Sequence, residues 1–211
     1  DWSSDVCSSD LGAVSSNTVL GSGALVTNTS GSSNVSVGQG SLYYNTTGYN
    51  NVAVGNNALN ANVGGSSLTA VGTYALGLNT SGVQNAATGY GALYNNTTGS
   101  YNSAFGYQAL NSNTTSSYNT AVGYQAGYTN STGQSFVMLG YQAGYSNTAD
   151  WTVAIGRQAL YTNSSGTFNT ALGGQALVTN STGGSNTGLG YNALYSNTTA
   201  SYNTAVGWSA M

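Results

Sequence analysis

The chain has 211 residues and a formal net charge of −3, with one basic residue, four acidic residues, no histidine and no proline. Ordinary domains carry roughly a quarter charged residues; here the share is 2%. That scarcity excludes the basic footprint of a nucleic-acid binder. It also leaves no means of building a Ser/His/Asp site or a metal cluster, so the sequence predicts a non-enzyme without cofactor or metal. No apolar run reaches the length of a membrane span, so no membrane contact is expected within this stretch.

In chain order, the first segment is DWSSDVCSSDL. Residues 1–11 hold Cys7, Trp2 and three of the four acids, Asp1, Asp5 and Asp10. Composition then changes abruptly to Gly, Ser, Asn, Thr, Ala, Val, Leu and Tyr. The opening resembles the in-frame translation of a short-read sequencing adapter. It is therefore set aside as a non-native segment, and Cys7 carries no information about redox compartment. The remaining domain, 12–211, is then expected to be truncated at both ends. Its open coils would favour aggregation of the isolated fragment.

From residue 17 onward a repeat takes over. The glycine of an A-V-G motif falls at Gly21, Gly38, Gly55, Gly72, Gly89, Gly106, Gly123, Gly140, Gly156, Gly173, Gly190 and Gly207. Every interval is 17 residues except the 16 between Gly140 and Gly156. With that glycine as position 0, position −1 is apolar in all copies but one, Thr88. Position +3 is Ala except at Ser41, and +4 is mostly Leu. Position +7 is Asn in every complete copy: Asn28, Asn45, Asn62, Asn79, Asn96, Asn113, Asn130, Asn147, Asn163, Asn180 and Asn197.

Each copy is too short for a helical hairpin, and its Asn-Thr-Thr-Gly segment breaks helices. The segments N-T-A-V-G and x-A-L-Y read as two short strands separated by two turns. One copy buries almost nothing alone, but stacked copies share a continuous core. The expected fold class is all-β: a parallel β-solenoid, or β-roll, of twelve 17-residue coils. At about 4.8 Å per coil it forms a rod of roughly 50 Å.

Within that fold the Asn column predicts a structural ladder of side-chain hydrogen bonds, with Asn and the following Gly tolerating tight left-handed corners. Nine of these Asn also form Asn-x-Ser/Thr glycosylation triplets. Their regular recurrence identifies them as turn chemistry, since glycans every ~4.8 Å would crowd. In N-T-A-V-G, Val and Thr point one way and Ala and Asn the other. Val, joined by Leu at +4, is expected inside. Ala at −2, as in Ala121 and Ala171, would then face out and accept a second chain.

Seventeen tyrosines recur in columns. Tyr90, Tyr107, Tyr124, Tyr141 and Tyr191 follow the motif glycine, and Tyr43, Tyr94, Tyr128, Tyr145, Tyr161 and Tyr195 lie at +5. Stacking between coils accounts for them. A sharper reading is a ligand face, in which Tyr90, Tyr107, Tyr124 and Tyr141 with the amides of Gln108, Gln125 and Gln142 suit a carbohydrate ring. The short copy breaks the rhythm and holds Asp150, Trp151 and Arg157, where a weak Asp150–Arg157 pair is expected; exposed pairs contribute about 0–1 kcal/mol.

The motif N-[TS]-A-[VFIL]-G-x-x-A resembles the head repeats of trimeric autotransporter adhesins, the YadA-like head. The longer form with A-L-Y-x-N-T-T-G resembles repeats of bacterial and phage tail-fibre proteins. The resemblance spans nearly all of residues 17–211. It implies a left-handed β-roll assembled as a homotrimer, extracellular on a bacterial cell surface or phage tail fibre, with an adhesive or receptor-facing role toward a host protein or glycan. The period of 17 exceeds that of the adhesin heads and places additional residues in a turn. The alternative is a monomeric solenoid that binds ice or polysaccharide through Thr, Asn and Tyr ladders. The mixed column Thr18, Val35, Ala86, Ser103 and Val137 lacks the regularity that ice binding favours.

Overall fold

The computed structural model describes residues 16–211, so the adapter-like segment and Cys7 lie outside the described residues. Twelve three-residue strands, β1 (Thr18–Leu20) to β12 (Thr204–Val206), form a single sheet in sequence order, every neighbouring pair parallel. Each strand pairs in register with the equivalent residues of the next repeat, as in Thr18↔Val35 and Thr170↔Thr187. The chain therefore winds one turn per repeat, and the molecule is a parallel β-solenoid. Among the described residues there is no helix. The short copy keeps register, with Val137 opposite Val153, so the deletion is absorbed outside the sheet.

Each coil has one strand, where two were expected. The x-A-L-Y segment is a run of turns. Residues at +2 and +4 take positive φ there, as in Gln125 (50°), Leu59 (52°) and Leu110 (51°). Their backbone groups still bond between coils: Leu59 N–H donates to Ala75 O at 3.0 Å and Asn57 N–H to Gln39 O at 2.9 Å. The left-handed region costs a non-glycine residue roughly 1–2 kcal/mol. Fully burying a Leu side chain contributes about 1.5–3 kcal/mol. Leu59 and Leu110 are wholly buried, so burial covers the backbone cost.

The interior reverses the expected facing of the strand. Ala at −2 is inside, and Val or Leu at −1 is outside. Ala53, Ala70, Ala104, Ala121 and Ala171 are 0% exposed, whereas Val71, Leu139 and Leu189 are 37%, 43% and 44% exposed. The reason is width. At Gly188, the one glycine at −2, an added Cβ would lie 3.1 Å from Ala193 O and 3.4 Å from Leu177 Cγ. The leucine from the turn side already fills the coil, and only a methyl group fits opposite it. The Ala stripe is thus core and offers no surface to another chain.

Two coils show the same rule through compensation. Gly127 and Gly144 replace Leu at +4, and Phe136 and Met138 occupy the vacated space. Both are fully buried. Ser36 and Ser41 replace Ala at −2 and +3 of a single coil, and their hydroxyls bond each other at 2.6 Å.

The motif glycine is a backbone requirement. Gly123 has φ +135°, and a Cβ there would sit 2.4 Å from Gly140 O. The same approach repeats along the rod, because each glycine lies directly over the next.

Candidate functional site

The Asn at +7 form one column inside the turn. From Asn45 to Asn180 they are wholly buried. Each Nδ2 donates to Oδ1 of the coil before it, at 2.6–3.2 Å, over nine rungs. It also donates to the carbonyl at +10 of its own coil, as Asn62 does to Gly65 O at 2.9 Å. The rung between Asn130 and Asn147 is missing, and Asn130 Oδ1 instead accepts from Gly133 N–H. This gap lies at the short copy. There Asn147 donates to Ala149, two residues on rather than three, which places the deletion in this turn. Burial from Asn45 to Asn180 also keeps the glycosylation triplets of those coils from any enzyme acting on the folded chain, while Asn28 and Asn197 at the ends are only partly covered.

The corner logic differs from expectation. The ladder asparagines do not have positive φ, and neither do the glycines at +10, such as Gly65. Gly65 is small because a Cβ would meet Asn62 Oδ1 at 2.4 Å. The left-handed corner falls at −5, on residues such as Tyr118 (64°) and Trp151 (49°).

A second Asn ladder was missed in the sequence, although position −4 is Asn in nine of twelve copies. Asn34 Oδ1 accepts from Asn51 N–H at 3.0 Å, and Asn51 Nδ2 donates to Gly65 O at 2.9 Å. Gly65 O therefore receives both ladders, which uses both of its lone pairs. Leu68, Phe136 and Thr152 interrupt this column. The Thr152 hydroxyl is buried without a partner.

The Tyr and Gln columns each pack on their own copies along the rod. Tyr90, Tyr107, Tyr124 and Tyr141 stack in parallel, with centroids 5.3 Å apart at each step. Gln125 donates to Gln108, Gln142 to Gln125 and Gln158 to Gln142, at 3.1–3.3 Å. Their ring faces are largely covered by neighbouring rings, which leaves mainly ring edges and amide flanks to solvent. At +5, Tyr128, Tyr145 and Tyr161 also stack. Burial first, then the neighbouring phenols of Tyr161, Tyr128 and Tyr124, raise the Tyr145 pKa above its ordinary 10.0.

In the short copy Asp150 does not pair with Arg157. Asp150 Oδ1 accepts from Gln134 N–H at 2.8 Å. Ser100 Oγ does the same for Val83 N–H in another coil, so Asp150 takes the place of a serine hydroxyl. Arg157 is exposed at the opposite end of β9 (Val153–Ile155), with the strand between the two charges. Trp151 stacks on Phe168 at 5.1 Å, and both are more than half exposed.

The outer face of the sheet is the remaining surface. Positions −3 and −1 form two columns that include Val52, Val54, Val122, Val137, Leu139 and Leu172, with Phe105 and Leu189 among the exposed large apolar residues. No charged residue occupies either column. The face covers on the order of 500 Å², from three residues per strand and about 4.8 Å per coil. Position −1 is apolar in all strands but one, while position −3 is Thr or Ser in seven of the twelve, so the face is uncharged and partly apolar. Among the described residues no group of acids, cysteines or histidines could hold a metal. Comparison with known protein families, curated proteins and solved structures returns no match.

Proposed function

We propose that the chain is a structural and adhesive fibre segment, a receptor-binding or display shaft on a bacterial cell surface or virion, assembled as a homotrimer through the outer face of its sheet. The observation that carries this reading is the uncharged double column of Val, Leu, Ile, Phe and Thr along the whole rod. Parallel sheets are normally covered on both faces, and the inner face here is covered by the chain's own turn segments. A second copy carries the same pattern at the same spacing, so its apolar −1 column and its Thr-rich −3 column recur opposite their counterparts coil by coil. The resemblance to adhesin heads and tail fibres favours three copies and an extracellular setting.

The test is solution mass by light scattering after size exclusion. The chain is expected at three times its monomer mass. Val122→Glu with Leu172→Glu, both on the outer face, should give a monomer with unchanged far-UV circular dichroism. Ala121→Glu should instead unfold coils, because that residue is inside. A wild-type monomer, or a trimer indifferent to the two outer-face changes, would overturn the proposal and favour the free-standing solenoid.

A further inference from the structure

The turn side of the rod is not uniform along its length. At position +2, Gln108, Gln125, Gln142, Gln158 and Gln175 build a continuous amide ladder in the C-terminal coils. In the N-terminal coils the same column reads Gly23, Gly40, Asn57, Tyr74 and Gly91. Gly23 and Gly40 border a hollow of about 520 Å³ and Gly91 one of about 340 Å³, with a smaller one of about 130 Å³ between them beside Asn57, Tyr74 and Gly77. Tyr74 lines all three, so they lie side by side around one ring as a segmented trench. It runs from Ser22 to Asn111 across six coils, about 24 Å at the coil spacing.

The chemistry of the trench is specific. Its aromatic walls include Tyr43, Tyr74, Tyr90 and Tyr94. Tyr90 ends the parallel stack: Tyr107 covers one face at 12°, while Tyr74 meets it at 89°. Tyr74 also lies at 80° to Tyr94. Amides alternate with these rings. Asn60 and Asn111 each bridge back to the glycine carbonyl at +2 of the preceding coil, Gly40 and Gly91, at 2.8 and 2.9 Å. The same Gly/Asn unit is thus set on each side of Tyr74. Gln108 ends its ladder: its Oε1 accepts from Gln125, and its Nε2 has no acceptor among the described residues, because Gly91 stands where the next amide would be. No charged side chain lines any of the hollows.

We infer that this trench binds a linear, uncharged oligosaccharide, with Tyr74 at its centre and the free Gln108 amide at one end. Aromatic faces take up the C–H faces of pyranose rings, and side-chain amides both donate to and accept from ring hydroxyls. The largest hollows fall within the range of small-molecule sites. Absence of charge along the walls disfavours acidic glycans, whose carboxylates would find no cation. The inference is independent of self-association, which uses the opposite side of the coil.

The test is saturation-transfer NMR and calorimetry on the full chain with cellohexaose, maltohexaose and chitohexaose, and with an acidic hyaluronan hexasaccharide for comparison. Gly91→Gln fills the hollow with the residue that five other coils already carry at +2 with positive φ, from 50° to 57°. It should extend the ladder without disturbing the coil. Tyr74→Ala removes the central ring. At least one neutral hexasaccharide should bind, with roughly tenfold or greater loss in each variant and unchanged circular dichroism. No neutral binding, binding indifferent to either variant, or tighter binding of the acidic probe would overturn the inference.

Discussion

Asn62→Ala removes two adjacent rungs from the middle of the +7 ladder. Three hydrogen bonds disappear: Asn62 Nδ2 to Asn45 Oδ1 at 2.8 Å, Asn62 Nδ2 to Gly65 O at 2.9 Å, and Asn79 Nδ2 to Asn62 Oδ1 at 2.9 Å. The partners fare differently. Asn79 keeps its bond to Gly82 O, and Gly65 O keeps the bond from Asn51. Asn45 Oδ1 loses its only donor while remaining buried. At about 1 kcal/mol per bond, and more for an orphaned buried acceptor, the cost is about 3–4 kcal/mol. Asn147→Ala is the internal comparison, because the rung to Asn130 is already absent there. It loses the bonds to Ala149 O and from Asn163 and leaves the buried Ala149 O without a donor, one bond fewer than at Asn62, for about 2–3 kcal/mol. Urea unfolding followed by far-UV circular dichroism would give both values, and amide exchange at Val52–Val54 would show whether the loss is local to coils beside Asn62. Equal costs below ~1 kcal/mol at both sites would refute the ladder as a source of stability and reduce the column to turn preference.

The Gly144/Met138 pair gives a coupled prediction. Met138→Ala leaves a cavity and should cost about 2–5 kcal/mol. Gly144→Leu alone is blocked, since a Cβ there would overlap Met138 Sδ. The double change restores the pattern of other coils and should recover most of the stability; a thermal-melt cycle showing additive losses would contradict the compensation. Raising pH should also weaken the rod. Because the Tyr145 pKa is raised in the folded chain, the stability it contributes is intact below the ordinary value of 10.0 and is lost as pH climbs through the folded pKa. Urea midpoints should fall above about pH 10, and less steeply in Tyr145→Phe; identical slopes would remove Tyr145 as a cause.

Seventeen-residue spacing was legible from the motif glycines alone, and with it one coil per repeat and the column of asparagines. Residues that recur at a fixed period stack on their own copies. A buried Asn above a buried Asn has one good arrangement, an amide chain along the axis. The same reasoning applied to position −4 would have found the second ladder, but Leu68, Phe136 and Thr152 interrupt it.

Tertiary structure decided which side of the strand is inside. Both sides carry apolar columns, so alternation alone does not distinguish Ala at −2 from Val at −1. The choice belongs to the width of the coil, set by a leucine from the far wall whose positive φ no strand pattern implies. The trench was likewise hidden, because a glycine becomes a hollow only once the neighbouring coils' side chains stand above and below it. Local repetition specified the coil; the distance between its walls determined what it buries and what it leaves to solvent.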